Sequence, residues 1–194
     1  MSVLRRTQQE RRTETRQKVL EAACKCFGEK GYAQTSLGDI AAECGQTIRP
    51  IYHYFGNKKN LFAAVTEHLE QQLVDALEGS LKKASEKLSQ TGWEAFLDMS
   101  NSASFRQVVL IDAPVVLGRE RWAASSVVVK VREIFQSIRP GMDPQKTELV
   151  TRMLIAALAE AALMTTEIEN SRELMAGVGN VIEAVLRNMA GDAA

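Results

Sequence analysis

The stretch that decides the fold is TSLGDIAAECGQTIRPIYHYFGNKKNL, residues 35–61. Ser36, with an aspartate three residues later, is a capping pair that predicts the start of a short helix. Gly45 predicts the end of that helix, because glycine adopts the left-handed conformation at low cost. Thr47 and Pro50 predict the first turn of another helix, where the missing N–H of a proline loses no hydrogen bond. The stretch therefore predicts two short helices joined by a tight turn.

The second of these helices has two distinct faces. Ile51 and Phe55 are four residues apart and are expected to point inward, whereas Arg49, Tyr52 and His53 share the opposite face. Packing does not explain these three residue types together on the outer face of so short a helix. Such a face suits a helix that lies in the DNA major groove. A solvated basic surface is the alternative interpretation.

Residues from about 13 to 65 resemble the N-terminal domain of TetR-family transcriptional regulators. The resemblance rests on an ordered set of residues: Ala22, Ala23, Phe27, Gly31, Tyr32, Thr35, Ser36, Ile40, Ala41, Gly45, Tyr52, His53, Tyr54, Phe55, Lys58 and Leu61. Two places depart from the family pattern. Gln46 occupies a position that is usually apolar, and Ile48-Arg49-Pro50 stands where a Lys-Gly or Arg-Gly pair is frequent.

The outward face and the resemblance together predict a DNA-binding site. Its candidate residues are Thr35, Ser36, Gln46, Thr47, Arg49, Pro50, Tyr52, His53, Tyr54 and Lys58. Arg5, Arg6, Arg11 and Arg12 precede this region in a stretch expected to be disordered. They are interpreted equally well as a flexible arm on DNA and as a solubilising tail.

Charge is distributed unevenly along the 194-residue chain, although its formal net charge is zero. Residues 1–60 contain eleven Lys or Arg and six Asp or Glu, a net charge of +5, and the remaining thirteen basic and eighteen acidic residues give −5. A basic DNA-binding domain joined to an acidic domain explains this asymmetry. Because no apolar run approaches about 18 residues and no secretory signal is evident, we expect a cytoplasmic protein without a membrane span.

The remaining pattern predicts an all-α fold with two domains, a DNA-binding domain at 1–60 and an effector-binding and dimerisation domain at 61–194. Helical periodicity and breakers predict further helices at about 13–30, 58–85, 104–117 (distorted by Pro114), 119–138, 144–167 and 170–189.

The last two predicted helices are amphipathic and rich in small side chains. The resemblance implies that they pair with their symmetry mates in a homodimer. The candidate interface residues are Met153, Ala157, Leu174, Val178, Val181 and Val185. Completion of the monomer core is the alternative role for these helices.

The resemblance also implies that a small-molecule effector binds the acidic domain and releases a repressor from a palindromic operator. The candidate pocket residues are Trp93, Phe96, Met99, Phe105, Trp122, Phe135 and Met164, each of which is individually more typical of plain core. The lack of an obvious buried charge cluster favours an apolar effector.

We find no catalytic, metal or cofactor motif, and Cys24, Cys26 and Cys44 are predicted to be small core residues. The alternative function is a helical ligand-binding or protein-interaction module without regulatory DNA binding.

Overall fold

The computed structural model describes residues 7–83, 95–138 and 140–164, together with 177, 180 and 184. Every regular element within these residues is helical, which confirms the all-α prediction. The elements are α1 Gln8–Gln34, α2 Leu37–Glu43, α3 Ile48–Phe55, α4 Lys58–Lys83, α5 at 95–100, α6 Ala103–Phe105, a π-helix Arg106–Asp112, α7 Ala113–Val116, α8 Arg119–Ala123, α9 Ser126–Ile138 and α10 Pro144–Met164.

The chain forms two compact units. The first comprises Met1–Leu69 and Ala103–Gly118, and the second comprises Glu70–Ser102 and Arg119–Ala194. The boundary between these two units therefore differs from the functional boundary that was predicted at residue 60. That boundary stays a prediction about function.

The core of the first unit is built on α1. Its apolar stripe includes Val19 and Phe27, both fully buried. The Phe27 ring lies 5.1 Å from that of Phe62 in an edge-to-face arrangement, and the Tyr32 ring lies 4.9 Å from Phe62. Aromatic pairs at these distances add stabilisation beyond the area that they bury. This cluster joins α1 to the start of α4.

Helix α1 begins earlier than the sequence pattern predicted. Its N-cap is Thr7, whose side chain accepts from the Glu10 N–H while the Glu10 side chain accepts from the Thr7 N–H. This reciprocal capping box satisfies two otherwise unpaired N–H groups. Arg11 and Arg12 are therefore exposed residues of a helix rather than part of a disordered stretch, whereas residues 1–6 lie outside the described part of the chain.

The 103–118 segment packs on α1 within the first unit. The Tyr32 N–H donates to the Asp112 carboxylate at 2.7 Å. A Cβ atom on Gly28 would lie 2.7 Å from the Ser104 Cα, so only glycine permits this approach.

The π-helix in this segment has a local cause. Pro114 has no N–H to donate to the carbonyl four residues earlier, and the Ala113 N–H pairs with the Val108 carbonyl, five residues back. Because the hydrogen bonds span five residues here, the helix continues to the proline without a break. A single distorted helix over 104–117 was the prediction, and its extent agrees with the structure.

The second unit contains the α9–α10 pair. Asp143 caps α10 and accepts from the N–H groups of Gln145 and Lys146, both at 3.0 Å. The single helix predicted over 119–138 is wrong, because the chain breaks after α8 and Ser125 accepts from the Val128 N–H to begin α9. The helix predicted over 170–189 lies outside the described residues, apart from 177, 180 and 184.

Candidate nucleic-acid interface

The turn between α2 and α3 is a Schellman motif. Gly45 has a φ of 63°, its N–H donates to the Ala42 carbonyl, and the Gln46 N–H donates to the Ala41 carbonyl. These bonds satisfy carbonyls that the helix end would leave unpaired. The side chain of Gln46 is exposed. These backbone hydrogen bonds thus close α2 immediately before α3 begins.

Helix α3 presents one buried and one exposed face, as predicted. Ile51 and Phe55 are buried, whereas Arg49 and His53 are exposed and Tyr52 retains 56% of its accessible surface. The buried pair anchors the helix to the first unit. The opposite face is left open to a partner.

The C-terminal end of α3 makes two contacts with aromatic rings. The Arg16 guanidinium lies 5.2 Å from the centroid of the Phe55 ring, a cation–π contact that connects α1 with the last residue of α3. The rings of His53 and Tyr54 meet edge to face at 4.9 Å, and Tyr54 is half-buried. The imidazole therefore has an aromatic neighbour that limits its movement.

The first turn of α3 begins at Thr47 as predicted, but without a side-chain cap. Thr47 occupies the N-cap position with extended backbone, but its side chain makes no capping hydrogen bond. Pro50 lies in the first turn and is half-buried. The hydroxyl of Thr47 is exposed and is not used by the helix.

Lys58 lies at the start of α4 and is half-buried. Its ammonium group is 4.3 Å from the centroid of the Tyr32 ring. The side chain of Asn57 accepts from the Asn60 N–H at 2.8 Å and so caps α4. A lysine held over an aromatic ring loses less freedom when it binds an anion than a fully solvated lysine does.

Two residues of the predicted set have structural roles. Thr35 is only 1% exposed, and its hydroxyl donates to the carbonyls of Gly31 and Cys26. Its assignment to the DNA-binding set is therefore corrected, because the side chain faces the interior. Ser36 is exposed and forms a reciprocal capping box with Asp39, and its hydrogen bonds lower the pKa of that carboxyl.

Ile48 is exposed to 41% at the first position of α3, although it is not among the predicted site residues. Helical periodicity places it close to the buried side, next to Ile51 and Phe55, so its pattern does not distinguish it from core. The one available signal was its position directly after the N-cap, where a helix end leaves side chains uncovered.

The thiols of Cys24 and Cys26 lie in the first unit and have raised pKa values. Burial raises the pKa values of the Cys24 and Cys26 thiols, and low-pKa thiolates are the reactive form. Among the described residues there is no group of three or more His, Cys, Asp or Glu placed to hold a metal ion. In the same part of the chain no helix is long and apolar enough to cross a membrane.

The predicted pocket residues do not all belong to one unit. Phe105 is buried in the first unit, whereas Phe96 and Phe135 are buried in the second. The second unit also holds Met99 and Trp122, which are half-buried, and Met164, which is exposed; Trp93 lies outside the described residues.

A buried charge was also missed in the second unit. The carboxylate of Glu70 is 2% exposed and accepts a hydrogen bond from the Arg121 guanidinium. Buried charges are expected to be paired in this way. The second unit therefore contains a buried ion pair that the sequence pattern does not reveal.

Of the predicted interface residues, Met153 and Ala157 are exposed on α10. Leu149 is exposed one turn before Met153. The other four (Leu174, Val178, Val181 and Val185) lie outside the described residues.

Comparison with known proteins gives two family-model matches. Residues 19–65 match the model of bacterial regulatory proteins of the tetR family, and residues 85–189 match that of the tetracyclin repressor-like C-terminal domain. The second match covers more than half of the chain.

Individual relatives agree with these matches. The chain is 41% identical over 69 residues to the HTH-type transcriptional regulator AcrR of Shigella flexneri, covering 36% of this chain and 32% of that one. It is 33% identical over 79 residues to the HTH-type transcriptional repressor AcnR of Corynebacterium glutamicum, covering 36% and 42%. The matches thus span about a third to two fifths of these relatives. A crystal structure of a TetR-family transcriptional regulator from Pectobacterium atrosepticum is similar over 94% of this chain and 97% of that one, with a TM-score of 0.70 and 29% identity.

Proposed function

Because the chain belongs to the TetR family of bacterial regulatory proteins, we propose that it is a transcriptional regulator that binds a double-stranded DNA operator. The observation that carries this function is the exposed face of α3, with Arg49, Tyr52 and His53 directed away from the buried Ile51 and Phe55. A recognition helix that enters the major groove needs such a face. The alternative of a helical module without DNA binding is not favoured, since residues 19–65 match the model of bacterial regulatory proteins of the tetR family.

The chemistry of each exposed side chain determines which part of the DNA it contacts. Arg49 contacts a guanine edge or a phosphate, because its planar fork can form two parallel hydrogen bonds. Tyr52 and Tyr54, with the exposed Thr47 and Gln46, contact the sugar-phosphate backbone and base edges. His53 makes a stacking or phosphate contact, and Lys58 binds a phosphate. Pro50 and Ser36 are the remaining members of the proposed site.

The contacts of Arg49 and Lys58 can be separated by salt dependence. Arg49→Ala is expected to cost about 1–3 kcal/mol of operator affinity and to relax preference at one base pair. Lys58→Ala should weaken all sequences alike and lower the slope of log affinity against log salt by about one unit for each protomer. Lys59→Ala is the matched control, because Lys59 is an exposed neighbour without the aromatic contact.

Fluorescence anisotropy with labelled promoter DNA from beside the gene, titrated at several salt concentrations, measures both effects. If Arg49→Ala leaves affinity and preference unchanged, the assignment of this face to DNA is wrong. If the wild-type protein binds no such DNA above its affinity for random duplex, another operator must be sought by selection from random sequence. Failure of that selection would refute the proposed function.

Homodimerisation through α10 and the following residues is the second part of the proposal. Met153 is 63% exposed and Leu149 and Ala157 share its face. An exposed apolar row of this kind favours a partner helix, and twofold symmetry matches a pseudo-palindromic operator. Sedimentation velocity should find a dimer, and Met153→Asp should shift it toward monomer. A wild-type monomer at micromolar concentration would contradict the proposal.

Release of a repressor by a small, mainly apolar effector is the third part. The aromatic and methionine side chains of the second unit supply apolar surface, and the Glu70–Arg121 pair satisfies its own charges, so it requires no charged ligand. Such an effector must bind the DNA-incompetent state more tightly than the competent one.

Regulation of this kind implies a non-enzymatic, cytoplasmic protein. Reporter expression with the gene deleted should rise, and a fall would indicate an activator.

A further inference from the structure

Helix α3 exposes one aliphatic side chain. Ile48 retains 41% of its accessible surface, whereas Ile40 and Ile51, the other isoleucines of α2 and α3, are fully buried. Isolated exposed apolar residues are ordinary on protein surfaces. This one is distinctive because of the surface to which it belongs.

Helical geometry arranges the open face of α3 in two rows. Ile48 and Tyr52 are four residues apart and form one row, and Arg49 and His53 form the other. The buried side lies beyond the first row, so Ile48 and Tyr52 form the apolar border of the face proposed to contact DNA. Ile48 is also the first residue of the helix, and N-terminal residues of a recognition helix contact base edges.

The chemistry of the major groove has only one group that matches an aliphatic side chain. Guanine, cytosine and adenine present hydrogen-bonding atoms there, and thymine alone adds a methyl group at C5. We propose that Ile48 reads a thymine C5-methyl group in each half of the operator. This inference rests on the proposed function and adds a base preference to it.

The test removes that methyl group without altering any hydrogen-bonding atom of the base pair. Duplexes that bind the full-length chain are first enriched from a random library, and each thymine of the half-site is then replaced by deoxyuridine. Replacement of the contacted thymine in one half-site should weaken wild-type binding about fourfold, as expected for the loss of one buried methyl-sized group. Replacement in both half-sites removes two such groups and should weaken binding roughly fifteenfold. The cost should disappear in Ile48→Ala.

Val115→Ala is the matched control. It also truncates an exposed aliphatic side chain of the first unit (Val115 is 84% exposed), but it lies outside α3 and should retain the full thymine preference. Because Ile48 and Val115 are both exposed, both variants should keep the wild-type urea midpoint, so a lost preference is not a folding defect.

Three results would overturn the inference. Deoxyuridine could cost nothing at any position, or it could cost the same in wild type and Ile48→Ala. A cost that persists in Ile48→Ala but disappears in Tyr52→Ala would assign the methyl contact to the tyrosine. In all three cases the enriched duplex still binds, so the proposed function survives. A library that yields no enriched duplex refutes the proposed function as well.

Discussion

Replacing Thr35 by valine is expected to destabilise the protein and to leave its DNA contacts intact. The side chain is almost fully buried, and its hydroxyl donates to the Gly31 carbonyl at 2.7 Å and to the Cys26 carbonyl at 3.0 Å. Valine preserves the shape of the side chain but has no donor. Two carbonyl groups inside the first unit therefore lose the hydrogen that they share.

The magnitude follows from burial. A net hydrogen bond contributes about 1 kcal/mol, and a buried group left without its partner costs about 1–3 kcal/mol. We expect Thr35→Val to lower the free energy of unfolding by about 2 kcal/mol. For a chain of 194 residues, this is a fall in melting temperature of about 4–8 °C.

Thr15→Val is the matched control, because its hydroxyl also donates to a backbone carbonyl, that of Arg11 at 2.8 Å, but at an exposed position. Its effect should stay within about 0.5 kcal/mol. Urea unfolding followed by circular dichroism, at one fixed protein concentration, compares the two midpoints. Operator affinity is measured on the same samples.

If Thr35 contacts DNA instead, the results are reversed. Thr35→Val would then share the urea midpoint of Thr15→Val but bind the operator more weakly. That pattern would refute the structural role assigned to the buried hydroxyl.

Three further predictions concern the first unit. Gly28→Ala would place a Cβ atom 2.7 Å from the Ser104 Cα, so urea unfolding should detect a loss of about 1–3 kcal/mol. Asp112→Ala removes the acceptor of a 2.7 Å backbone hydrogen bond and should cost a similar amount in the same assay. Hydrogen bonds from Ser36 lower the pKa of Asp39 below its ordinary value of 3.8, so their stabilisation is present above that value and is lost as the pH falls through the lower folded-state value. Acid titration of Ser36→Ala, followed by circular dichroism, should therefore show a smaller loss of stability in this window than the wild type does.

Features encoded by neighbouring residues could be predicted from the sequence. Caps and turns depend on a side chain and a backbone group within a few positions of each other. The Ser36 cap and the turn at Gly45 were therefore predicted correctly. The early start of α1 had such a signal in Thr7 and Glu10, but it lies in a polar stretch without the apolar periodicity that reveals a helix.

Features that depend on distant residues could not be predicted. In the sequence, Thr35 resembles an exposed capping residue, and only the folded structure brings its hydroxyl to the Cys26 carbonyl. The hydrogen bond from the Tyr32 N–H to Asp112 joins residues that are 80 positions apart. Burial of Glu70 likewise depends on an arginine 51 residues away. The individual DNA contacts stay predictions, because helical periodicity shows which face is open and not what binds to it.

The discontinuous first unit has a consequence for protein engineering. A stand-alone fragment ending at residue 69 would uncover the side of α1 on which residues 103–118 pack, and it would leave the Tyr32 N–H without its carboxylate. A chimaera that grafts only the N-terminal residues onto another regulator would place foreign side chains against Gly28. Grafts should therefore transfer both pieces together, since a host that supplies its own second piece is compatible only if it leaves room for that close approach.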